Sequence, residues 1–506
     1  MSDILHPNRS FIFLASCLVV LTLGGCTVGP DFGKPTPQAP DDWTSWRSSD
    51  DSLRASVIAG AALPEVWWRA FDDPVLDRLE QRAFDAGPDL RTAALRFAQA
   101  RAQRATTAAQ WGPDVNASAG VTRQRQSEYG AGTRLLDAVA APGNREELVE
   151  LLSEPFTLYQ AGFDASWELD LWGRVRRSVE AADADVAQQA ALLDLTRLTL
   201  ASDVARNYFD LRTTQSQIRL TREDIATLQD RLGLLEAQVS AGMINHLSLE
   251  QQRAELSTLR AQLPDLLAQE GVNINQIALL LGERPGTLRD ELIAPVPATA
   301  ALPDLALGLP SEVALRRPDI RAAQARLHSA TASIGIAKAD LYPSIRLGAQ
   351  FGYESYLSGE FADWGSRTWS IGPTLSLPIF DHGRRKSVVQ LRELQQQEAA
   401  VNYQQTVLRA WQEIDDALSG YTAEQQKLEE LERRVHAAQQ AYELAQARYD
   451  GGVADFITVL DTQRGYVAAR RDLAVSQGRL NNRFVMVNKV LGNVPARITS
   501  QTTSRD

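Results

Sequence analysis

The chain has 506 residues, with 52 Lys and Arg against 63 Asp and Glu, a formal net charge of −11, five His and two Cys. That acidic balance excludes nucleic acid as a natural partner, because phosphates select clustered Lys and Arg. Cys17 falls in the N-terminal apolar stretch, so a mature chain keeps Cys26 alone and forms no internal disulfide.

Arg9 precedes an apolar run from Phe11 to Leu23, about 13 residues, which suits a secretory signal and is too short to span a bilayer. The run closes on Leu23-Gly24-Gly25-Cys26, which resembles the bacterial lipoprotein signal, in which the cysteine is acylated before cleavage. Thr27, in place of the Asp that usually retains such proteins at the inner membrane, favours the outer membrane by the same resemblance. The alternative is a secreted chain with a stray thiol. No later run reaches 18 apolar residues, so no helical span is expected.

From Pro88 the chain repeats itself. Pro88-Asp89-Leu90-Arg91 leads in about 25 residues to Pro113, and Pro318-Asp319-Ile320-Arg321 leads over the same distance to Pro343. Each copy continues through alternating segments, a Gly-Arg step (Gly173-Arg174, Gly383-Arg384), a long helical run, a glycine break and a Leu-Gly end (Leu281-Gly282, Leu491-Gly492). A period of about 210 residues is too long for small stacking repeats and points to one duplicated half-molecule.

The alternating segments have strict period two. Tyr159, Ala161, Phe163, Ala165, Trp167 and Leu169 stand against Gln160, Gly162, Asp164, Ser166 and Glu168; segments around Val115–Thr122, Ile345–Tyr353 and Trp369–Leu377 read likewise. Each is about 10 residues, the length of a tilted strand crossing a bilayer with one lipid-facing and one lumen-facing row. A soluble half-buried sheet fits the alternation equally well. Four strands cannot close a barrel in lipid, so insertion requires oligomers: two copies give eight strands and a filled lumen, three give twelve and room for water.

The helical runs supply length. Val204, Leu211, Ile218, Ile225, Leu232 and Val239 recur every seventh residue from Arg174 to about Ser240, and Ile414, Tyr421, Leu428, Val435, Tyr442 and Tyr449 repeat the seam. About 67 helical residues would span roughly 100 Å. The breaks fall at Gly242 and at Gly451-Gly452, and each returning helix takes about 37 residues. Pro264, where the second copy has Ala474, predicts a kink in the first return helix. The loop of about Arg123 to Pro155 is longer than its counterpart and carries a short helix around Glu146 to Leu152. Taken alone, the heptads would equally suit a solid antiparallel bundle.

Leu315-Arg316-Arg317-Pro318-Asp319-Ile320-Arg321, Ile334-Gly335 to Tyr342-Pro343, Trp167-Glu168-Leu169-Asp170-Leu171-Trp172-Gly173-Arg174, Cys26-Thr27-Val28-Gly29-Pro30-Asp31-Phe32 and Trp67-Trp68 through Asp73-Pro74 resemble the TolC-type outer membrane factors, in their lipoprotein branch of NodT/OprM-like proteins. The resemblance implies a membrane β-barrel plus an all-α barrel: a homotrimer with four transmembrane strands per chain, a periplasmic coiled-coil α-barrel and a mixed equatorial belt. It divides the chain into a signal peptide (1–25), an anchor and equatorial segment (26–87), a first repeat (88–283), an equatorial linker (284–312, with Pro295, Pro297, Pro303 and Pro310), a second repeat (313–493) and a tail (494–506). It also implies an outer-membrane exit duct docked through a periplasmic adaptor onto an inner-membrane pump, commonly of the RND type. The chain itself would carry out no chemistry and bind no cofactor. A type I protein secretion duct and a structural lipoprotein stay open as alternatives.

The residues agree with an absence of chemistry. There is no Walker-type loop, nucleophile elbow or metal-spaced His/Cys cluster, and His246 and His382 stand isolated. By resemblance the periplasmic end closes like an iris at the second glycine break, with Cys26 as the lipidation site far from it in sequence. Ile457 would form an apolar constriction, Asp461 an acidic ring and Arg464 the next turn. Three copies of Asp461 on a narrow axis would favour cations. Asp455 is either part of that ring or only a helix cap. Tyr449 would latch the tip near Ser248, and the first copy has Glu250 and Val239 where the second has Asp461 and Tyr449.

Overall fold

The computed structural model describes residues 27–495 apart from 37–38, 44–47, 54–56, 59–65, 131–132, 135–143, 295–304 and 307–308. The leader 1–25, Cys26, the linker prolines Pro295, Pro297 and Pro303, and the tail from 496 lie outside the described residues. In chain order the elements are β1 (Val57–Ile58), α1 (Pro74–Ala86), α2 (Pro88–Ala108), β2 (Asp114–Gln124), α3 (Arg145–Ser153), β3 (Phe156–Leu169), α4 (Arg174–Ser240) and α5 (His246–Leu280). Then follow α6 (Arg289–Ile293), β4 (Leu305–Ala306), α7 (Pro310–Arg316), α8 (Pro318–Ala339), β5 (Ser344–Ser355), β6 (Arg367–Ser376), α9 (Arg384–Asp450) and α10 (Phe456–Val490).

The duplication holds to the residue in the helices. α4 and α9 have 67 residues each and α5 and α10 have 35 each. Both pairs start 210 positions apart (384 − 174 and 456 − 246). α5 runs on through Pro264. No helix among the described residues is long and apolar enough to cross a membrane.

Among the described residues, one compact unit comprises 27–33 with those of Arg101–Asp185 and Leu327–Glu398. Its centre is an antiparallel sheet in the order β2-β3-β5-β6. The register keeps the two rows apart across all four strands: Ala117 faces Phe163, Phe163 faces Phe351 and Phe351 faces Trp369. Because side chains alternate, one face is apolar except near the strand ends, and the other carries Asn116, Asp164, Gln350 and Ser370 in line. Gln160 donates to Glu354 on the polar face at 2.6 Å. Gly162 and Gly352 face each other there so closely that a Cβ on Gly162 would lie 2.9 Å from the Gly352 Cα.

The turns from sheet to helix differ between copies. Before α4, Asp170 accepts from the Val175 and Arg176 amides at 3.0 and 2.9 Å, while Arg174 grips Glu168 with bonds of 2.7 and 2.9 Å. Before α9, Asp381 accepts from the Gly383 amide at 3.1 Å and pairs with Arg385. The segment following Cys26 is strapped onto this unit, with the Val28 amide donating to the Trp172 carbonyl at 3.1 Å, buried Arg177 donating to Asp31 at 2.6 Å, and Phe32 stacked on His328.

The other unit comprises the described residues of Lys34–Ala100 and Val186–Arg326 and those from Ala399 to 495. Its core gathers Trp67, Trp68, Phe71, Leu76 and Leu79 around Tyr208, Phe209, Tyr421 and Phe484. The Phe71 ring lies 4.4 Å from Phe209 and 5.3 Å from Phe484. Asp73 caps α1 by accepting from the Val75 amide at 2.9 Å, and its second oxygen takes the buried Tyr208 hydroxyl at 2.5 Å. β1 pairs in parallel with β4, which ties the N-terminal segment to the linker. Arg317, in the Leu-Arg-Arg-Pro-Asp-Ile stretch, closes the end of α10 by donating to the Val490 carbonyl at 2.7 Å and to Glu413 at 2.7 Å. On α1 the buried stripe reads Leu76, Leu79, Glu80, Ala83, and neither Glu80 carboxyl oxygen has a hydrogen-bond partner among the described residues. Burial, with Asp77 nearby, pushes the Glu80 carboxyl well above the ordinary range.

Candidate functional site at the helical tips

The two turns joining the long helices to their return helices share one backbone design. Gly242 and Gly452 both take φ +72. The Gly242 amide donates to the Val239 carbonyl and the Met243 amide to Gln238, each at 2.9 Å; Gly452 and Val453 repeat this onto Tyr449 and Arg448. This pairing satisfies the last carbonyls of each long helix and requires a left-handed residue, which is why the breaks are glycine. Asn245 then caps α5 by accepting from the Ser248 amide, and Asp455 caps α10 by accepting from the Thr458 amide at 3.1 Å and its hydroxyl at 2.8 Å.

Asp455 is thereby occupied as a cap. Hydrogen bonds from Thr458, side chain first and backbone second, hold its carboxyl below the usual range. Phe456, Val459, Leu460 and Gln463 are buried, whereas Ile457, Asp461 and Arg464 are exposed at i, i+4 and i+7, one face of α10. Asp461 keeps 67% of its side chain in solvent. Arg464 turns towards α5 and donates to Glu255 at 2.8 Å, with Asp461 at 4.0 Å.

Tyr449 packs against the apolar cluster of the tips, which includes Leu249 of α5. Its hydroxyl donates to Gln238, in the last turn of α4, at 3.2 Å, and its ring meets Phe456 edge-on at 5.5 Å. The capping residues also correct the comparison between copies. Because Asn245 and Asp455 hold equivalent caps 210 positions apart (455 − 245), the counterpart of Asp461 is Gln251, and Glu250 corresponds to Leu460.

The residue that joins most of the second tip to the first was not singled out in the sequence. Arg231 on α4 donates to Gln463 at 2.8 Å, to the Tyr442 hydroxyl at 2.7 Å and to Gln446 at 2.6 Å. It sits beside Leu232 of the heptad seam, and an arginine flanking an apolar seam is the signal that could have found it. Further along, Arg470 pairs with Glu223 at 2.7 Å and Arg471 donates to Gln262 at 2.8 Å. Asp224, mostly buried between these arginines, is raised by desolvation against their opposing attraction. Under these bonds lies a small apolar cluster of Leu235, Leu249, Ala445, Phe456, Val459 and Leu460.

The chain matches the outer membrane efflux protein family over residues 79–283 and 309–493, both copies of the repeat. It is similar to the outer membrane protein OprJ of Pseudomonas aeruginosa, with 30% identity over 482 residues that cover 94% of each chain. It is also 29% identical over 467 residues to a probable outer membrane lipoprotein, SilC, of Salmonella typhimurium, covering 91% of this chain and 94% of that one. Among solved structures, the outer-membrane channel OprN superposes with a TM-score of 0.80 at 31% identity, over 92% of this chain and 99% of that one.

Proposed function

This chain belongs to the outer membrane efflux protein family, and from that premise we propose that three copies form an exit duct whose periplasmic gate is the second helical tip. The fold is that of the TolC-like outer membrane channels, and the family's work is conduction, not catalysis. The observation that carries the proposal is the four-strand sheet: one apolar face, one polar face, and two open edges that hydrocarbon does not tolerate. Three copies bring twelve strands, enough for a water-filled lumen lined by the polar row. The two repeats, 88–283 and 313–493, are the building halves, and 26–87 with 284–312 form the belt.

At the gate, Ile457 narrows the path, Asp461 sets an acidic ring and Arg464 braces α10 against Glu255, while Tyr449 and the Asp455 cap hold the turn. Three carboxylates around one axis attract cations and are bridged by a divalent ion when the ring is narrow. Cys26, acylated, anchors the chain to outer-membrane lipid, as the likeness to a probable lipoprotein supports. A periplasmic adaptor and an inner-membrane pump of the RND type complete the pathway for small molecules. Conductance of purified trimers in planar bilayers tests the gate: Asp461→Ala is expected to raise basal conductance and remove divalent block. Unchanged conductance and unchanged divalent response would remove Asp461 from the gate.

A further inference from the structure

The strands of the sheet separate charge as strictly as they separate polarity. Asp114, Asp164, Glu168 and Glu354 all lie in the polar row. The apolar row carries two charges, Arg123 on β2 and Arg367 on β6, and both stand at the end of the sheet that the loops close, away from the starts of α4 and α9. Arg367 pairs across the sheet with Tyr353. Its guanidinium lies 4.4 Å over the Trp364 ring and donates to the Trp364 carbonyl at 2.6 Å. No ion pair joins either arginine to a carboxylate among the described residues. An arginine on a lipid-facing row is unfavourable at depth and tolerated near the interface, where a phosphate can accept two of its N–H groups at once.

Below Arg367 the same face is hollowed. A cavity of about 390 Å³ opens where two small residues, Ala165 and Ala349, pair with each other among the larger Phe163, Phe351, Trp369 and Ile371. Trp369 follows Arg367 by two residues and Ile371 by four, so along β6 the cavity begins about 7 Å from the arginine and ends about 14 Å from it. A cation at one end and an apolar hollow at the other match an anionic head followed by an acyl tail. A free anion has no use for the hollow, and an uncharged lipid has none for the arginine.

We infer that the apolar face binds a phosphorylated lipid of the outer leaflet, its phosphate on Arg367 and the end of one acyl chain in the cavity over Ala165 and Ala349. The inference rests on the reading above, in which this face meets lipid and the helices are periplasmic. Native mass spectrometry of the full-length protein in detergent, titrated with diphosphoryl lipid A, tests it, and wild type is expected to hold one lipid per chain. Arg367→Gln should bind about tenfold more weakly, whereas Arg346→Gln, in the polar row, should bind as wild type does. An equal loss in both variants overturns the site in favour of general charge attraction. Ala349→Phe fills the cavity and should weaken binding several-fold; wild-type binding by that variant overturns the acyl half of the site. Competition by inorganic phosphate, or equal binding of the dephosphorylated lipid, overturns the phosphate half. The premise is tested apart from the site: brominated phosphatidylcholine around the reconstituted protein should quench the fluorescence of wild type more than that of Trp369→Phe. Equal quenching overturns the lipid-facing reading, while quenching at Trp369 without selective lipid A binding overturns the site alone.

Discussion

The waist and the tips of the helical unit use the same heptad seam in opposite ways. At the waist Val204, Leu211, Ile414 and Tyr421 are buried against Phe71, Phe209 and Phe484. At the tips Leu232, Val239, Tyr442 and Tyr449 are only partly buried, around a small apolar cluster. Between α4 and the second hairpin the tip adds polar bonds to that cluster, from Arg231 to three partners and from Tyr449 to Gln238. Apolar burial is non-directional and costly to undo, whereas hydrogen bonds near solvent are individually worth about 1 kcal/mol and readily exchanged for water. The waist is therefore expected to hold its packing, and the polar contacts of the tips to be the first to exchange partners.

The largest expected effect tests the waist. Phe209→Ala removes a ring packed on Phe71 and leaves a cavity, which costs about 3–5 kcal/mol. Thermal denaturation should shift strongly downward with no selective gain in conductance from the folded fraction. If instead conductance rises with the melting temperature intact, the waist is part of the gate and the contrast fails.

Arg231→Ala makes the converse case. Three side-chain bonds to the second hairpin disappear together. Given their half-exposed setting, the closed tip should lose on the order of 2–3 kcal/mol, more than a tenfold shift towards open. Single-channel recording should show it as raised basal conductance, with the melting temperature close to wild type. An Arg231→Ala protein that melts early and conducts normally would make Arg231 a structural staple.

A pH test probes a titratable group buried in the waist. Glu80 sits among core residues with no hydrogen-bond partner among the described residues, and burial raises its folded pKa above the unfolded value near 4.3. The neutral acid is at home in the core below that unfolded value. As pH rises from there through the folded pKa, the unfolded chain releases its proton first and stability falls. Glu80→Gln cannot ionise, so its melting temperature should exceed wild type by a margin that grows with pH. A margin that is constant with pH would show that Glu80 keeps its ordinary titration.

What the sequence made legible divides along the same line. Period seven, period two and the glycine breaks are local, so the bounds of α4, the four strands and the short helix of the long loop could be written from spacing alone. The glycines of both tips were equally plain, and Asp455 stood as a candidate cap, because their partners lie within a few residues. Long-range polar partners were not. Arg231 and Gln463 are 232 residues apart, and Tyr449 and Gln238 are 211 apart. Nothing in either neighbourhood specifies the other, since a hydrogen bond depends on atoms brought together by the whole fold. The counterpart of Asp461 is a different case: the 210-residue offset of the Gly-Arg and Leu-Gly steps already puts it at Gln251, and the equivalent caps at Asn245 and Asp455 agree.

The smallest effect gives the finest test. Tyr449→Phe keeps the ring that meets Phe456 and removes only the hydroxyl bond to Gln238 at 3.2 Å. Such a half-exposed bond contributes about 0.5–1.5 kcal/mol, so basal conductance should rise by roughly two- to tenfold, well short of Arg231→Ala. Gln238→Ala should match it, and the double variant should add little, because each change removes the same bond. Independent, additive effects in that cycle would mean that Tyr449 holds the tip through its ring. The tip would then be packed as the waist is, and the contrast between polar and apolar closure would rest on Arg231 alone.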